Sequence, residues 1–434
     1  MKISTKLDLD LESDSPRVNE TIRKVSKELG LVRKEQYNAL KILLLNFFWF
    51  NNQELIVPRA RQKLAPARYN PSGVSYSALR TVLDRLTEHK LITQTVGKKD
   101  LKTKKGITTT IKPSYEFMGR ISLIDEWRRS DIRRSPDAEV IRIREDRKSK
   151  DAPTVLLDYE DDDFTKMVRK PLQDYNKLLS ETDICLLAPD MESIQADLGR
   201  DLVKRTFIRQ DGMSALTFGG RMVGPWCHLS KDQRKRIWMN DAPVVEHDFP
   251  SSHVNVMYKV VTGKPYSDFD SDLIYRDAYD LYVDGYKVPR SFVKKLSSIL
   301  LNTDKISSAV SAIKSEYISK NDGFEKQDYN QKKKKSEYEF ITSHAPVKKI
   351  IQAYLDKHEP IAWWYLKGKM MGAHIQYWES QLVMKIVSKL VREQIPVLTV
   401  YDSFIINEEH EELLLYLMET TEPDDRIRPQ GMTG

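Results

Sequence analysis

The feature that most constrains this chain is a pair of acidic residues, each next to an apolar strand and about 150 residues apart. Residues 244–249 read Val-Val-Glu-His-Asp-Phe, which predicts a strand that ends in Asp248. Residues 396–406 predict an apolar hairpin with Asp402 in its turn. Two such carboxylates supply the hard oxygen ligands that hold two divalent ions about 3.5–4 Å apart. The pattern therefore predicts a two-metal site of the kind that transfers nucleotidyl groups.

Two cations between these acids are placed to bind phosphate. Pro289 favours a helix start, and the apolar positions 292, 296, 299 and 300 would bury one face of that helix. Arg290 and Lys294 are four residues apart and therefore share a face. We expect them to bind the β- and γ-phosphates of a nucleotide, with Lys294 also placed to protonate the leaving pyrophosphate. Lys295 takes that role if the helix register differs.

A glycine pair precedes the first acid, in the sequence Phe-Gly-Gly-Arg that ends at Arg221. Glycine lets the backbone approach a primer or a triphosphate closely, and arginine binds phosphate through two parallel hydrogen bonds. Arg221 is therefore a candidate nucleotide ligand. The alternative is a structural turn beside a basic surface helix.

Three segments resemble motifs A, B and C of the single-subunit polymerases, namely the family A DNA polymerases and the phage-type RNA polymerases. The segments are 248–253 (Asp-Phe-Pro-Ser-Ser-His), 289–294 (Pro-Arg-Ser-Phe-Val-Lys) and 400–404 (Val-Tyr-Asp-Ser-Phe). Their order is kept, and the resemblance covers roughly residues 200–415. It implies an α+β fold with a palm, which is an antiparallel sheet with helices, and helical fingers. It also implies nucleoside triphosphates as substrates and two Mg²⁺ or Mn²⁺ ions as cofactors.

The resemblance gives further residues a role. Asp248 would chelate both ions, with the carbonyl of Phe249 as an additional ligand. His253 occupies the position that faces the sugar of the incoming nucleotide, where the DNA polymerases have Glu. Asn302 stands where both families have Tyr, and Tyr401 replaces the usual His. The choice between deoxynucleotides and ribonucleotides stays open, and so does a purely local hydrogen bond for His253.

The N-terminal part of the chain is strongly basic. Residues 21–113 hold 19 lysines and arginines against 6 aspartates and glutamates, in a chain whose net charge is +7. The predicted order is helix, helix, strand, basic loop and strand, which resembles a winged helix-turn-helix domain with residues 75–89 as its recognition helix. Such a helix fits the major groove while lysines of the loop neutralise phosphates. The candidate DNA-binding residues are Arg80, Arg85, Lys98, Lys99, Lys102, Lys104 and Lys105. A protein-binding winged domain and a well-solvated surface are the alternatives.

These patterns divide the chain into a flexible tail (1–20), a winged-helix domain (21–115), a linker with a helical thumb-like region (116–200) and a palm with fingers (201–434). The composition is 40% hydrophobic and 31% charged, which is typical of a soluble protein. No signal-peptide core and no apolar stretch of about 18 residues is found, so a cytoplasmic location without membrane partners is expected. The oligomeric state stays open.

The sequence favours a template-dependent nucleotidyltransferase coupled to DNA binding. This would be a DNA polymerase, with primase or RNA polymerase activity as a variant, that serves replication of a plasmid or phage-type element. The main alternative is a non-catalytic DNA-binding replication initiator or transcriptional regulator. A two-metal nuclease would need further carboxylates near Asp248, and Glu246 is the nearest candidate.

Overall fold

The chain folds into two compact α+β units that contain several antiparallel sheets. The computed structural model describes residues 4–50, 53–58, 66–97, 108–121, 126–147, 154–199, 202–209, 216–268, 277–318, 329–368 and 370–422. The first unit comprises residues 1–139 and 156–160, and the second comprises residues 140–155 and 161–434.

The helices and strands occur along the chain in the following order. Up to residue 160 they are β1 (Ser4–Lys6), β2 (Leu11–Glu12), α1 (Pro16–Glu28), α2 (Lys34–Trp49), β3 (Glu54–Ile56), α3 (Tyr76–Glu88), β4 (Ile92–Thr95), β5 (Thr110–Pro113), α4 (Tyr115–Gly119), β6 (Arg133–Arg134), β7 (Ile141–Glu145) and β8 (Leu156–Leu157). Beyond it they are α5 (Asp163–Glu181), β9 (Ile184–Leu187), β10 (Ile194–Asp197), β11 (Lys204–Arg209), β12 (Gly219–Val223), α6 (Lys231–Arg234), β13 (Ile237–Met239), β14 (Ala242–Asp248), α7 (Ser252–Thr262), β15 (Leu281–Val283), β16 (Tyr286–Val288), α8 (Arg290–Leu300), α9 (Ile306–Tyr317), α10 (Tyr329–His344), α11 (Val347–Lys357), α12 (Met371–Arg392), β17 (Val397–Val400), β18 (Ser403–Asn407) and α13 (Glu411–Thr420).

In the first unit, a four-stranded sheet has the order β1-β3-β5-β4, with β1 parallel to β3 and the other pairs antiparallel. Helix α2 forms the centre of the core, because Leu40, Leu43 and Leu44 are fully buried. Helix α3 begins where the sequence predicts it, since the Ser75 hydroxyl accepts a hydrogen bond from the Ala78 amide at 3.2 Å. The predicted helices and strands of this region are therefore present.

The N-terminal segment of the first unit differs from its prediction, and the basic loop cannot be compared with its own. Residues 1–20 were predicted as a tail, whereas the structure places β1, β2 and the start of α1 there, with Val18 fully buried. The tail prediction was wrong because it overlooked two short patterns: leucines alternate with acids over residues 7–12, and Val18, Ile22 and Val25 have helical spacing. The basic loop was predicted over residues 97–106, of which only Gly97 is among the described residues; Lys98, Lys99, Lys102, Lys104 and Lys105 lie outside them.

The second unit is built around a six-stranded antiparallel sheet of order β10-β9-β13-β14-β18-β17. Strands β7, β11 and β12 form a further sheet, in which β11 is parallel to β7 and antiparallel to β12. Helix α12 packs against β12, α7 and α5. Its inner face contains the fully buried Ile375, Ile386 and Leu390. Among the described helices, none has the length and apolar character to cross a bilayer.

The thumb-like helices expected within residues 116–200 are only partly found. A helix was predicted over residues 190–202, but residues 194–197 form β10, which extends the main sheet beside β9. The prediction was wrong because strand pairing at a sheet edge outweighs local helix preference. Helix α5 continues through Pro171, where an interruption was predicted. Burial of Leu172 and Tyr175 on its inner face offsets the missing backbone hydrogen bond.

Candidate active site

The two acids lie at the same end of adjacent strands. Strand β14 ends at Asp248, which pairs with Ser403 at the start of β18. The Phe249 amide donates a hydrogen bond to the Asp402 backbone carbonyl at 3.2 Å. The predicted strand and hairpin are thus present, and antiparallel pairing brings together acids that are far apart in the sequence.

The turn beside each acid contains a residue with left-handed backbone geometry. Ser251, at the N-terminus of α7, has φ +47°, and Tyr401, in the β17–β18 turn, has φ +60°. Residues other than glycine rarely adopt this conformation, and such strain concentrates at functional sites. Of the ten non-glycine residues with positive φ in the described parts of the chain, Ser251 and Tyr401 are the two that flank Asp248 and Asp402.

The two acids differ in environment. Asp248 is exposed, whereas Asp402 is half-buried. Burial raises the pKa of Asp402, and the negative charge of Glu379 adds to that shift. A nearby cation would favour the charged form of Asp402.

A buried carboxylate on α12 organises the side of the site that contains Arg221. Glu379 is 1% exposed and forms a bidentate ion pair with Arg221, with Nε–Oε1 at 2.7 Å and Nη2–Oε2 at 2.9 Å. The same carboxylate accepts a hydrogen bond from the Ser252 hydroxyl at 3.0 Å and lies 3.2 Å from Nε2 of His253. Arg221, Ser252, His253 and Glu379 are called the Glu379 cluster below.

Within the Glu379 cluster, the buried negative charge of Glu379 is compensated by its partners. Burial would raise the pKa of Glu379, yet the hydrogen bond from His253 and the charge of Arg221 hold that pKa below its ordinary value. The Arg221 guanidinium also lies 5.0 Å from the centroid of the Tyr401 ring, a cation–π contact. Arg221, predicted as a phosphate ligand, therefore uses its bidentate edge for Glu379 and joins β12 to the turn that contains Asp402.

The glycine directly before Arg221 is required by the packing of the strands. Gly220 has φ +79°, and a Cβ atom there would lie 2.5 Å from the Phe207 ring on β11. The glycine therefore permits close contact between β11 and β12. This observation accounts for Gly220 by the structural alternative that the sequence left open.

Helix α8 begins at Arg290, as predicted, and is connected to the segment after Asp248. Arg290 forms an ion pair with Asp277, which accepts a hydrogen bond from the Ser251 hydroxyl at 3.3 Å. The Arg290 guanidinium also lies 5.3 Å from the Tyr279 ring centroid. Burial raises the pKa of Tyr279 to about 12. The predicted phosphate-binding arginine is thus tied to the turn between Asp248 and α7.

The two neighbouring lysines of α8 differ in their surroundings. Lys295 forms an ion pair with Glu316 of α9 at 2.9 Å. Lys294 is exposed, four residues after Arg290, and has no ion-pair partner among the described residues. Lys294 is therefore the lysine of this pair that is available to a ligand. Asn302 lies beyond the end of α8, where its side-chain amide donates to the Ser298 carbonyl at 2.8 Å.

The donor set near the acids consists of oxygen atoms. In the described parts of the chain, no group of three or more His, Cys, Asp or Glu side chains is arranged to hold a metal ion. Mg²⁺ in polymerase-type sites uses one or two carboxylates, with water and substrate phosphates completing its coordination. Asp248, Asp402 and the Phe249 carbonyl fit that requirement.

Glu246, the other carboxylate on β14, is already ion-paired. Glu246 forms a bidentate ion pair with Arg234, with contacts of 2.7 and 3.0 Å, and both side chains are 13% exposed. The charge of Glu246 is therefore compensated within the protein. This arrangement removes the nearest additional ligand that a nuclease site would require.

In the first unit, the two arginines of α3 lie at the surface. Arg80 is 64% exposed and lies 3.7 Å from Asp84, and Arg85 is 50% exposed and lies 3.0 Å from Glu88. Exposed ion pairs of this kind contribute little to stability and exchange readily for other partners. Both arginines therefore remain accessible to a polyanion.

Sequence reasoning missed Glu379 and Asp277 as site residues. A signal for Glu379 was present, because it is four residues after Ile375 and three before Leu382, on the apolar face of α12. A glutamate on a buried face requires a cationic partner. Nothing comparable distinguishes Asp277 from other surface aspartates.

Comparisons with protein-family models, with curated proteins and with solved structures each find no match for this chain. The functional assignment therefore depends on the residues of the site and on their motif-level resemblance.

Proposed function

We propose that this protein is a template-dependent nucleotidyltransferase with a polymerase-like palm. It is a DNA polymerase, or a primase or RNA polymerase if it selects ribonucleotides. The observation that carries the proposal is the adjacency of Asp248 and Asp402 across β14 and β18. The strands place two carboxylates on neighbouring backbones, and Asp402 lies in a hairpin turn between two buried strands.

Asp248, Asp402 and the Phe249 carbonyl are the residues that would hold Mg²⁺ or Mn²⁺. Bound ions of this type activate the attacking hydroxyl and stabilise the charge of the leaving pyrophosphate. The protein residues then have separate tasks. Arg290 and Lys294, one turn apart on α8, bind the triphosphate, and Lys294 donates a proton to the pyrophosphate.

The Glu379 cluster supports this assignment at the start of α7, which follows Asp248. Glu379 holds the His253 ring and the Arg221 guanidinium side by side, with Nε2 and Nη2 3.1 Å apart. A side chain that is held in this way keeps its position when a ligand binds, which favours selection by shape. His253 thus presents a fixed surface to the sugar of the incoming nucleotide.

The first unit supplies DNA binding in this proposal. Its helix α3, with Arg80 and Arg85 exposed, would read the major groove as part of a winged helix-turn-helix domain, and the lysines of residues 98–105 would bind phosphates. A polymerase linked to its own DNA reader suits initiation of replication on a plasmid or phage-type element.

The test uses the purified full-length protein with a primed template and with an unprimed single-stranded template. Each template is supplied with deoxynucleotides or with ribonucleotides, in Mg²⁺ or Mn²⁺. We expect template-directed incorporation with at least one nucleotide set. Absence of incorporation in every combination, with duplex binding retained, would establish the non-catalytic initiator instead.

A further inference from the structure

A cluster of aromatic rings lies at the surface of the second unit and shares no residue with the Glu379 cluster. The Tyr286 and His344 rings are stacked, with centroids 4.5 Å apart and an interplanar angle of 16°. The Phe340 ring centroid lies 4.5 Å from that of His344, and Phe340 is 59% exposed. We call Tyr286, Phe340 and His344 the aromatic step. It combines strand β16 with the C-terminal half of α10.

The aromatic step continues along α10 to Lys333. Residues seven apart on a helix lie almost directly above one another, as do residues four apart. Lys333, Phe340 and His344 therefore form one stripe, and all three side chains are exposed. The adjacent Ile341 is fully buried and anchors the inner face of the helix.

The helix that contains Phe340 and His344 has a positive net charge. Helix α10 contains four lysines, at residues 332–335, against Glu337 and Glu339. Lys334 and Lys335 have only long contacts with acids, at 3.7 and 3.9 Å. Among the described residues, no acidic partner is found for Lys332 or Lys333, and both are exposed. These two charges are therefore available to an anion.

We propose that the aromatic step, together with Lys332 and Lys333, binds single-stranded nucleic acid. Proteins bind single strands by stacking unpaired bases on exposed aromatic rings while cations follow the backbone. The exposed Phe340 ring suits an unpaired base, because bases within a duplex are already stacked on each other. A protein partner would gain from the same apolar ring but would leave the unpaired lysines without a role.

The position of the aromatic step indicates which strand it binds. Strand β16 contains Tyr286 and leads through Pro289 directly into Arg290, at the start of α8. A strand held at the aromatic step would therefore run beside the helix to which we assign triphosphate binding. Its identification as the template strand rests on the proposed function, whereas the binding surface itself does not.

The experiment measures binding of a fluorescein-labelled single-stranded DNA or RNA of mixed sequence to the full-length protein. No nucleotide is added, and an excess of unlabelled duplex occupies the first unit. We expect Phe340→Ala and His344→Ala each to raise the Kd about tenfold, because stacking supplies much of the affinity for each base. Phe340→Trp should retain wild-type affinity. Tyr416→Ala removes another exposed aromatic ring, on α13, and should change nothing.

A second measurement tests the lysines. Replacing Lys332 and Lys333 by Gln should lower the slope of log K against log salt by about 0.7 for each phosphate that these lysines neutralise. Lys166 and Lys177 are exposed on α5, and their replacement by Gln is the matched control. An unchanged slope would show that the two lysines bind no phosphate and would overturn their part in the proposal.

Two results would overturn the whole proposal. One is unchanged affinity of Phe340→Ala for single strands. The other is a wild-type dimer that Phe340→Ala converts to a monomer in light scattering, which would show that a second copy covers the ring. Failure of nucleotide incorporation with these binding differences intact would remove the enzyme proposal alone.

Discussion

Arg221 and Glu379 form a bidentate ion pair in which the carboxylate is 1% exposed and the guanidinium side chain is 22% exposed. The pair connects β12 with the middle of α12, and Glu379 also contacts Ser252 and His253 at the start of α7. Three elements around the candidate active site thus meet at one carboxylate.

Glu379→Gln should lower the free energy of unfolding by about 3 kcal/mol, because it leaves the partly buried Arg221 charge without its partner. Chemical denaturation measures this loss. Arg221→Gln combined with Glu379→Gln should be less destabilising than the two separate losses added together. Glu393→Gln, at the exposed end of α12, is the control. A loss below about 1 kcal/mol for Glu379→Gln would contradict the role assigned to this pair.

Asp248→Asn and Asp402→Asn should each reduce nucleotide incorporation by several orders of magnitude, since each removes a charged metal ligand. Binding of duplex DNA should be unchanged, because it is assigned to the first unit. Asp241→Asn is a matched control, as Asp241 is exposed in the turn at the other end of β14. Near-wild-type incorporation by either Asn variant would refute the catalytic assignment.

Lys294→Ala should lower the incorporation rate and raise the KM for the nucleotide, whereas Lys295→Ala should leave both parameters almost unchanged. Lys294 has no acidic partner in the described structure, while Lys295 is engaged with Glu316. Steady-state kinetics of the two variants separate the roles. A larger defect in Lys295→Ala would mean that the nucleotide binds to a different face of α8.

Replacement of Lys98, Lys99, Lys102, Lys104 and Lys105 by Gln should flatten the salt dependence of duplex binding, by about 0.9 in the log–log slope for each phosphate that the loop neutralises. Arg80→Ala should instead change which DNA sequence is preferred. Both effects are measured on the full-length protein, because β2 and α1 begin before residue 21 and supply Leu11 and Val18 to the core of the first unit. Equal slopes for wild type and variant would show that the lysines of the basic loop do not neutralise DNA phosphates.

Stability should fall as pH decreases from about 6.5 towards 4, in part through His358. This residue is fully buried, and burial lowers its pKa to about 4, whereas the unfolded chain takes up the proton near pH 6.5. In this pH window the unfolded state binds more protons than the folded state, so a decrease in pH favours the unfolded state. Between pH 7.5 and 5.5 the loss from His358 is about 1 kcal/mol.

Urea unfolding followed by tryptophan fluorescence at these two pH values tests this effect. His358→Gln should show a smaller change in unfolding free energy between pH 7.5 and 5.5 than the wild type. His344→Gln replaces a histidine at the surface and should resemble the wild type. Identical pH dependence of His358→Gln and wild type would contradict the prediction.

The parts of the structure that the sequence predicts are those with a local pattern. The strand that ends at Asp248, the hairpin around Asp402, the Ser75 cap and the start of α8 at Arg290 are all present. Each is specified by apolar runs, by a capping residue or by proline, which act within a few residues.

The parts that the sequence does not predict depend on distant partners. Glu379 acquires its role only when β12 and α7 pack against α12. Strand β10 forms because β9 offers it an edge, although residues 190–202 alone suggest a helix. Sequence patterns indicate which residues have side chains suited to a site, whereas tertiary packing determines which of these side chains contact each other.

The ladder between β14 and β18 runs through five residue pairs, from Val244 with Asn407 to Asp248 with Ser403. The spacing of the two acids is therefore set by backbone hydrogen bonds, and a slip of one residue would turn every side chain of the strand to the other face. The intervening chain leaves this ladder at one end and returns to it through β17. Helices and loops inserted there can therefore change in length while the two carboxylates stay in register.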